Sequence, residues 1–326
     1  MILDEYPQAL ILTGPTGSGK SQLALDLAER LDAEILSMDS MALYRRMDIG
    51  TAKPTAQERR RVPHHLLDVL EPWESASVAW WLERAAECCR AISQRGKRPL
   101  FVGGTPLYLK ALLYGLFEGP PAEESIRRRL NAEAATAGRM ALHTRLAAVD
   151  PVSAARLHPN DVRRVIRALE VWELTGRPIS EWQTQWLEST DRQRPAGSVS
   201  DRMAVAYASG SSSVARPRCL CLDLPRSQLY ARINARVEKM IAAGLVEEVR
   251  ALRQLERPLS REAAQALGYK EVFAYLDGHA DLTETIQQIQ KRSRQYARRQ
   301  LSWFRHLPPC QPIRAELTFA AWGLTI

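Results

Sequence analysis

The sequence lacks the features that mark secreted, zinc-binding and membrane proteins. Its five cysteines are not spaced as metal ligands, which argues against a zinc site and against a disulfide framework. No uninterrupted apolar stretch is long enough to cross a bilayer. No basic segment followed by an apolar one stands at the N-terminus, so no secretory leader is evident. We therefore expect a cytoplasmic protein that does not engage a membrane.

Acidic residues are outnumbered, and a long stretch near the C-terminus contains none. The chain has 45 Lys and Arg against 37 Asp and Glu, a net charge of +8 and a pI of about 9.4. A capping box at Asp281 and Glu284 predicts a helix start, and no acidic residue follows until Glu316. A solvated basic face is the alternative, but we favour a phosphate-backbone partner. The predicted helix aligns Lys291, Arg294, Arg298 and Arg305 on one stripe.

Residues 14–21, the phosphate loop, fit the pattern G-x-x-x-x-G-K-[ST]. An apolar run at residues 9–12 precedes the loop, and an apolar helical face that includes Leu23 and Leu27 follows it. In this setting glycines let backbone N–H groups converge on phosphate oxygens. Lys20 adds a point charge, and the Ser21 hydroxyl can bind Mg²⁺. An ordinary glycine-rich turn is the alternative, which the strand and helix on either side disfavour.

Strand and helix patterns alternate through the first third of the 326 residues. Apolar strands are predicted at residues 34–38, ending at Asp39, and at residues 100–102, ending before Thr105. Thr105 before Pro106 is also a helix-cap signal. Repeated strand–helix units predict a parallel sheet, and ligands gather at the carboxyl ends of its strands. The phosphate loop, Asp39 and Thr105 should therefore meet at one cleft.

After residue 118 the pattern becomes helical, without strands. A polar stretch at residues 189–217 follows, and the apolar run at 219–222 predicts a return to the sheet. The predicted fold class is α/β, a P-loop core with a parallel sheet flanked by helices, plus an all-helical insertion. The predicted boundaries are 1–118 for the first part of the core, 119–190 for the insertion, 191–215 for a polar linker and 216–326 for the rest of the core with basic helices.

Further motifs reach almost to the C-terminus, at residues 39–44, 47–54, 63–68, 102–108, 157–161, 163–167, 266–270, 298–300 and 303–305, together with Arg226, Arg232, Ile233 and Arg236. With them the chain resembles the tRNA dimethylallyltransferase family, also called tRNA isopentenyltransferases, of the bacterial type. The resemblance implies transfer of a dimethylallyl group from dimethylallyl diphosphate to the exocyclic N6 amine of the adenosine just 3′ of the tRNA anticodon.

The resemblance also implies roles for single residues. Asp39 would act as the general base, although a magnesium ligand or a strand-end cap is its alternative role. Thr105 would contact the target nucleotide, and Arg232 would stabilise the departing diphosphate. The diphosphate would be bound, with Mg²⁺ at Ser21, by Gly14, Pro15, Thr16, Gly17, Ser18, Gly19, Lys20 and Ser21, with Arg226 as a second arginine.

The implied macromolecular partner is the tRNA anticodon stem-loop. Its target base would be flipped into a channel between core and insertion. Any one arginine of the implied set can instead form a surface ion pair. We expect His64 and His65 to be structural. The implied contacts are Asp39, Ser40, Met41, Ala42, Thr105, Arg127, Arg163, Arg164, Val165, Ile166, Arg167, Gln265, Ala266, Leu267, Gly268, Tyr269, Lys270, Arg298, Arg299, Gln300, Trp303 and Arg305.

Two other functions remain open at this point. One is a small-molecule enzyme on the same core, either an ATP-binding nucleotide kinase or an adenylate prenyltransferase. The arginine-rich insertion and the basic terminal helix disfavour it, because a free nucleotide requires neither. The other is a non-catalytic RNA-binding protein, which the intact phosphate loop and Asp39 disfavour. Nothing in the sequence demands more than a monomer.

Overall fold

A computed structural model describes residues 2–116, 119–182 and 218–324. The chain forms two compact units, one of Met1–Leu113 with Arg194–Ile326 and the other of Tyr114–Gln193. The whole of the predicted polar linker, residues 191–215, lies outside the described residues. None of the helices within the described ranges is apolar and long enough to span a bilayer.

The first unit is built on a six-stranded sheet in the order β3-β2-β4-β1-β5-β6. Every neighbouring pair is parallel, and Ile11 of the central strand lies between Phe101 and Cys219. The predicted parallel sheet is confirmed, while β3 and β6 were not predicted. The strands are β1 (Leu10–Thr13), β2 (Ala33–Ser37), β3 (His64–His65), β4 (Arg98–Gly103), β5 (Cys219–Leu222) and β6 (Cys310–Ile313).

Helices supply the rest of the regular structure in the described residues. In chain order they are α1 (Ile2–Glu5), α2 (Lys20–Leu31), α3 (Ala56–Arg61), α4 (Val78–Gln94), α5 (Pro106–Tyr114), α6 (Glu124–Thr136), α7 (Arg139–Val149), α8 (Pro151–Arg156), α9 (Val162–Thr175), α10 (Ile179–Trp182), α11 (Arg226–Ala242), α12 (Leu245–Arg253), α13 (Arg261–Ala264), α14 (Tyr269–Leu276), α15 (Leu282–Arg305) and α16 (Thr318–Ala321), with a 3₁₀ turn at Ala315–Leu317.

The core of the first unit lies between the sheet and α2. Leu12 and Leu100 of neighbouring strands are fully buried, and Leu27 of α2 packs against the same cluster. Near-continuous apolar strands of this kind are typical of parallel sheets that are covered on both faces. The packing places the carboxyl ends of β1, β2 and β4 side by side.

The long helix α15 begins where its capping signal predicts. The Asp281 side chain accepts a hydrogen bond from the Glu284 backbone N–H, and the Glu284 carboxylate accepts one from the Asp281 N–H. The capping box is thereby confirmed. These two bonds satisfy backbone donors that the first helical turn leaves unpaired.

The second unit is all-helical in its described part, α6 to α10. Leu130, Leu142 and Leu146 meet Val165 and Leu169 in a core of its own. Helix α9 ends at Gly176, whose left-handed φ of +68° lets its N–H bond back to the Trp172 carbonyl. The predicted change from mixed to purely helical structure is therefore confirmed.

Candidate active site

One cleft of the first unit lies at the carboxyl ends of β1, β2 and β4. Residues from three separate segments line it, among them Lys20 of the phosphate loop, Asp39 after β2 and Gly104 after β4. These are the segments that the sequence analysis expected to meet. A cleft at this edge of a parallel sheet is the usual place for a ligand in such folds.

Two glycines of the phosphate loop have backbone conformations in the left-handed region of φ and ψ. Gly17 and Gly19 have φ values of +80° and +91°, which side chains other than glycine rarely adopt. A Cβ on Gly17 would also lie 2.8 Å from Cγ1 of Ile233. Lys20 begins α2, and its Nζ donates to the Pro15 carbonyl at 3.0 Å. The ammonium group is thereby folded back over the loop.

Gln300 of α15 joins the phosphate loop to the end of β4. Its Oε1 accepts from the Thr16 N–H at 2.9 Å, and its Nε2 donates to the Gly104 carbonyl at 2.7 Å. The residue is only 2% exposed. Gln300 was predicted as an RNA contact, but the structure uses both ends of its amide to hold the cleft together.

Asp39 is oriented by the segment that follows it. Its Oδ1 accepts from the Met41 N–H at 2.9 Å, and the Thr105 hydroxyl accepts from the Ser40 N–H at 3.0 Å. Thr105 therefore fixes the backbone beside Asp39. The carboxylate lines the cleft together with Lys20, so the cleft holds an acceptor for a proton beside a binder of negative charge.

A second cation in the cleft, Arg236, was assigned no role by the sequence analysis. Burial, together with the neighbouring Arg236 and against the opposing effect of Asp39, lowers the pKa of Lys20 to about 8. Burial likewise lowers the pKa of Arg236, again opposed by Asp39. Two desolvated cations next to one carboxylate form a strong site for a polyanion.

The two predicted diphosphate arginines lie elsewhere on the same helix, α11. Arg232 donates from Nη1 to the Ser18 carbonyl at 3.3 Å, so it contacts the outside of the phosphate loop. Arg226 is exposed and lies 5.1 Å from the ring centre of Tyr230. Arg236 follows Arg232 by four residues and therefore shares its helix face. That spacing is the signal that could have identified it.

Apolar side chains also line the cleft. They include Leu25 of α2, Ile35 of β2, Val102 of β4 and Leu67, which follows β3. A ligand that combines a charged head with a short hydrocarbon group would match both parts of this cleft.

The two neighbouring histidines have protein partners, as expected of structural residues. His65 Nε2 lies 2.6 Å from Glu34 Oε2, and His64 Nδ1 lies 2.7 Å from the Val62 carbonyl. Burial lowers the pKa of His64. His64 also lines the cleft.

The predicted RNA contacts divide into buried and exposed side chains. Those of Val165, Ile166, Ala266 and Tyr269 are at most 4% exposed, so they offer no surface to RNA in this structure. Arg163, Arg164, Gln265, Lys270, Arg298, Arg299 and Arg305 are exposed. Trp303 is half-buried, with its ring centre 6.0 Å from Lys110 Nζ.

In the second unit, the predicted RNA contacts Arg127 and Arg167 surround a buried carboxylate. Glu170 is 0% exposed. It accepts from Arg127 Nε at 2.8 Å, from Arg167 Nη1 at 2.6 Å and from the Glu123 N–H at 2.7 Å. Burial would raise the pKa of Glu170, but the two arginines outweigh it and hold the pKa below its usual value. Both arginines therefore have a structural role.

Arg127→Ala is expected to lower the free energy of unfolding by about 1–3 kcal/mol, because Glu170 would keep only part of its pairing. Chemical denaturation checks this. Arg128→Ala, an exposed neighbour on α6, is the matched control and should change stability by less than about 0.5 kcal/mol. Equal stability of wild type and Arg127→Ala would contradict the structural role and leave Arg127 free for RNA alone.

Magnesium would find few protein ligands in this cleft. Within the described residues no group of three or more His, Cys, Asp and Glu could hold a metal ion. The cleft does contain the Ser21 hydroxyl and the Asp39 carboxylate. Mg²⁺ characteristically takes one or two protein oxygens and completes its shell with water and substrate phosphates, so this donor set fits the ion.

Comparisons with known proteins agree with this geometry. The sequence model of the family described as IPP transferase matches residues 42–307. The Geobacter metallireducens protein named tRNA dimethylallyltransferase is 46% identical over 304 residues, which cover 93% of this chain and 91% of that protein.

Solved structures agree as well. The tRNA isopentenylpyrophosphate transferase of Bacillus halodurans is 38% identical, with a TM-score of 0.62 over 94% of this chain and 89% of that one. A eukaryotic dimethylallyltransferase acting on tRNA is 27% identical, with a TM-score of 0.69 over 94% of this chain and 74% of that one. With a phosphate loop, a carboxylate and a half-buried arginine in one cleft and matches along nearly its whole length, the chain belongs to the IPP transferase family, the tRNA dimethylallyltransferases.

Proposed function

We propose that the protein transfers a dimethylallyl group from dimethylallyl diphosphate to the N6 amine of the adenosine 3′-adjacent to the anticodon of tRNA, and releases diphosphate. The observation that carries this proposal is the composition of the cleft. Lys20, Arg236 and Asp39 line it together with apolar side chains that include Leu25 and Ile35. A short prenyl diphosphate needs this combination of charge and hydrocarbon binding.

The chemistry demands two things of these residues. The carbon–oxygen bond to the diphosphate breaks as the new carbon–nitrogen bond forms, so negative charge grows on the leaving group. Lys20, Arg236 and the loop amides stabilise that charge. The adenine amine becomes cationic as it attacks, and Asp39 accepts its proton. The products are prenylated adenosine, diphosphate and a proton bound to Asp39.

Mg²⁺ is part of the proposal. Ser21 would hold it, with the diphosphate and water as its other ligands, and it would neutralise charge on the leaving group. Asp39 has an alternative role as a second ligand, although the Met41 N–H that orients it leaves one carboxylate oxygen for the substrate amine.

Incubation with radiolabelled dimethylallyl diphosphate and Mg²⁺ tests the function. The acceptors are an unmodified tRNA with adenosine 3′ of the anticodon, the same tRNA with guanosine at that position, and free AMP. We expect label in the first acceptor alone. Label in AMP alone would favour an adenylate prenyltransferase. Phosphate transfer from ATP without any prenylation would favour a nucleotide kinase.

A further inference from the structure

One loop that lines the cleft has a backbone conformation that residues outside the loop must stabilise. Residues 47–54, the cleft loop, contribute Thr51, Ala52, Lys53 and Pro54 to the lining. Ala52 has a φ of +49°, a left-handed conformation that costs a residue with a Cβ about 1–3 kcal/mol. Such strain persists only where the surroundings fix the backbone.

Glu248 of α12 fixes this loop through consecutive backbone groups. Its Oε2 accepts from the N–H groups of Asp48 and Ile49 at 2.9 and 2.8 Å. Its Oε1 accepts from the Gly50 N–H at 3.2 Å. Three adjacent amides directed at one carboxylate form an anion nest made of the loop's own backbone. Charge-assisted bonds of this kind are stronger than neutral ones.

Tyr269 completes the arrangement from α14. Its hydroxyl donates to Glu248 Oε1 at 2.6 Å. Burial, together with the neighbouring Glu248, raises the pKa of Tyr269 far above its usual value, so the phenol remains a donor. Its ring lies so close to the loop that a Cβ on Gly50 would approach within 2.4 Å of it. The loop is thus held both by hydrogen bonds and by contact.

The cleft loop in turn contacts the phosphate-binding cations. The Thr51 carbonyl accepts from Arg236 Nη2 at 3.5 Å, and Arg236 is close enough to Lys20 to lower the pKa of its ammonium group. A displacement of Thr51 would therefore move a partner of Arg236. Glu248 itself is absent from the lining of the cleft, so any effect that it has on the ligand must pass through the loop.

We propose that Glu248 is a positioning residue: with Tyr269 it holds the cleft loop so that Arg236 is placed for the diphosphate. This inference rests on the proposed function, since it assumes that the cleft binds a diphosphate. No contact between Glu248 and substrate is involved.

Glu248→Gln tests the proposal, because the amide group of glutamine brings N–H donors toward the loop's own N–H groups. Calorimetry with inorganic pyrophosphate and Mg²⁺ should give a dissociation constant raised about tenfold. In turnover, the KM for dimethylallyl diphosphate should rise about tenfold and kcat should fall as well, because Arg236 also stabilises the charge that grows on the leaving group. Glu247→Gln, exposed and adjacent on α12, is the matched control and should leave both constants unchanged.

Two further variants keep the test decisive. Tyr269→Phe removes one donor and keeps the ring against Gly50, so it should fold and raise the dissociation constant about threefold. Glu248→Gln combined with Arg236→Lys should raise the dissociation constant by less than the two single effects combined, because both act on one contact.

Unchanged pyrophosphate affinity in Glu248→Gln or in Tyr269→Phe, or strict additivity in the double variant, would overturn the positioning role alone. Wild-type protein that does not bind pyrophosphate would instead contradict the proposed function, and this inference with it.

Discussion

Asp39→Asn is expected to lower the single-turnover rate of prenyl transfer at least about a hundredfold. The amide oxygen can still accept from the Met41 N–H, so the segment after β2 should keep its shape. An amide cannot take a proton from the attacking amine. Affinities for dimethylallyl diphosphate and tRNA should therefore change by less than about threefold.

The matched control for this variant lies at the other end of the same strand. Asp32 immediately precedes β2, has a left-handed φ of +51° and is exposed. Asparagine tolerates that conformation, so Asp32→Asn should leave the rate unchanged. Rates for Asp39→Asn within about fivefold of wild type would remove Asp39 from the role of base.

Lys20→Met is expected to lower kcat/KM for dimethylallyl diphosphate at least about a thousandfold, because leaving-group stabilisation in a desolvated site is a large contribution. Steady-state kinetics with saturating tRNA measures it. Lys97→Met, which removes an exposed lysine paired with Asp32, is the control. A loss of less than about tenfold would mean that the loop amides and Arg236 stabilise the diphosphate without this charge.

The lowered pKa of Lys20 adds a pH dependence with a definite sign. With a pKa of about 8 in the free protein, the ammonium form that binds diphosphate is lost as the pH rises through 8. Affinity of the free protein should fall about tenfold between pH 7 and pH 9. Lys20→Met should show weak affinity without that decline. A wild-type affinity that stays constant over this interval would place the pKa well above 9.

The central elements of the sheet were predictable because each carries a local signal. Four strands with apolar runs, the phosphate loop and the Asp281 capping box all follow from patterns within a few residues. The two edge strands were missed for the opposite reason. His64–His65 is only two residues long, and Cys310–Ile313 contains Pro312, which weakens the strand pattern and suits an edge position.

The site was predicted less completely than the fold. Residue types that bind phosphate or accept a proton could be identified, because their chemistry is local. Arg232 and Arg236 share one face of α11, so which of them enters the cleft depends on where along that helix the cleft lies. Motif membership also cannot separate side chains that face inward from those that face outward, which is why Val165, Ile166 and Tyr269 were expected at the RNA and are buried. No pattern in the sequence links Glu248 to its backbone partners at residues 48–50, which lie about two hundred positions earlier.

The bridge made by Gln300 has a consequence for the order in which the site is assembled during synthesis. The phosphate loop leaves the ribosome well before α15, because the side chain that holds its Thr16 N–H lies 284 residues later in the chain. A nascent chain that ends before α15 therefore carries the loop without the group that fixes it to Gly104. Until that helix docks, the Thr16 N–H has neither its partner nor a fixed direction, so competence to bind diphosphate should arise only after α15 has been translated.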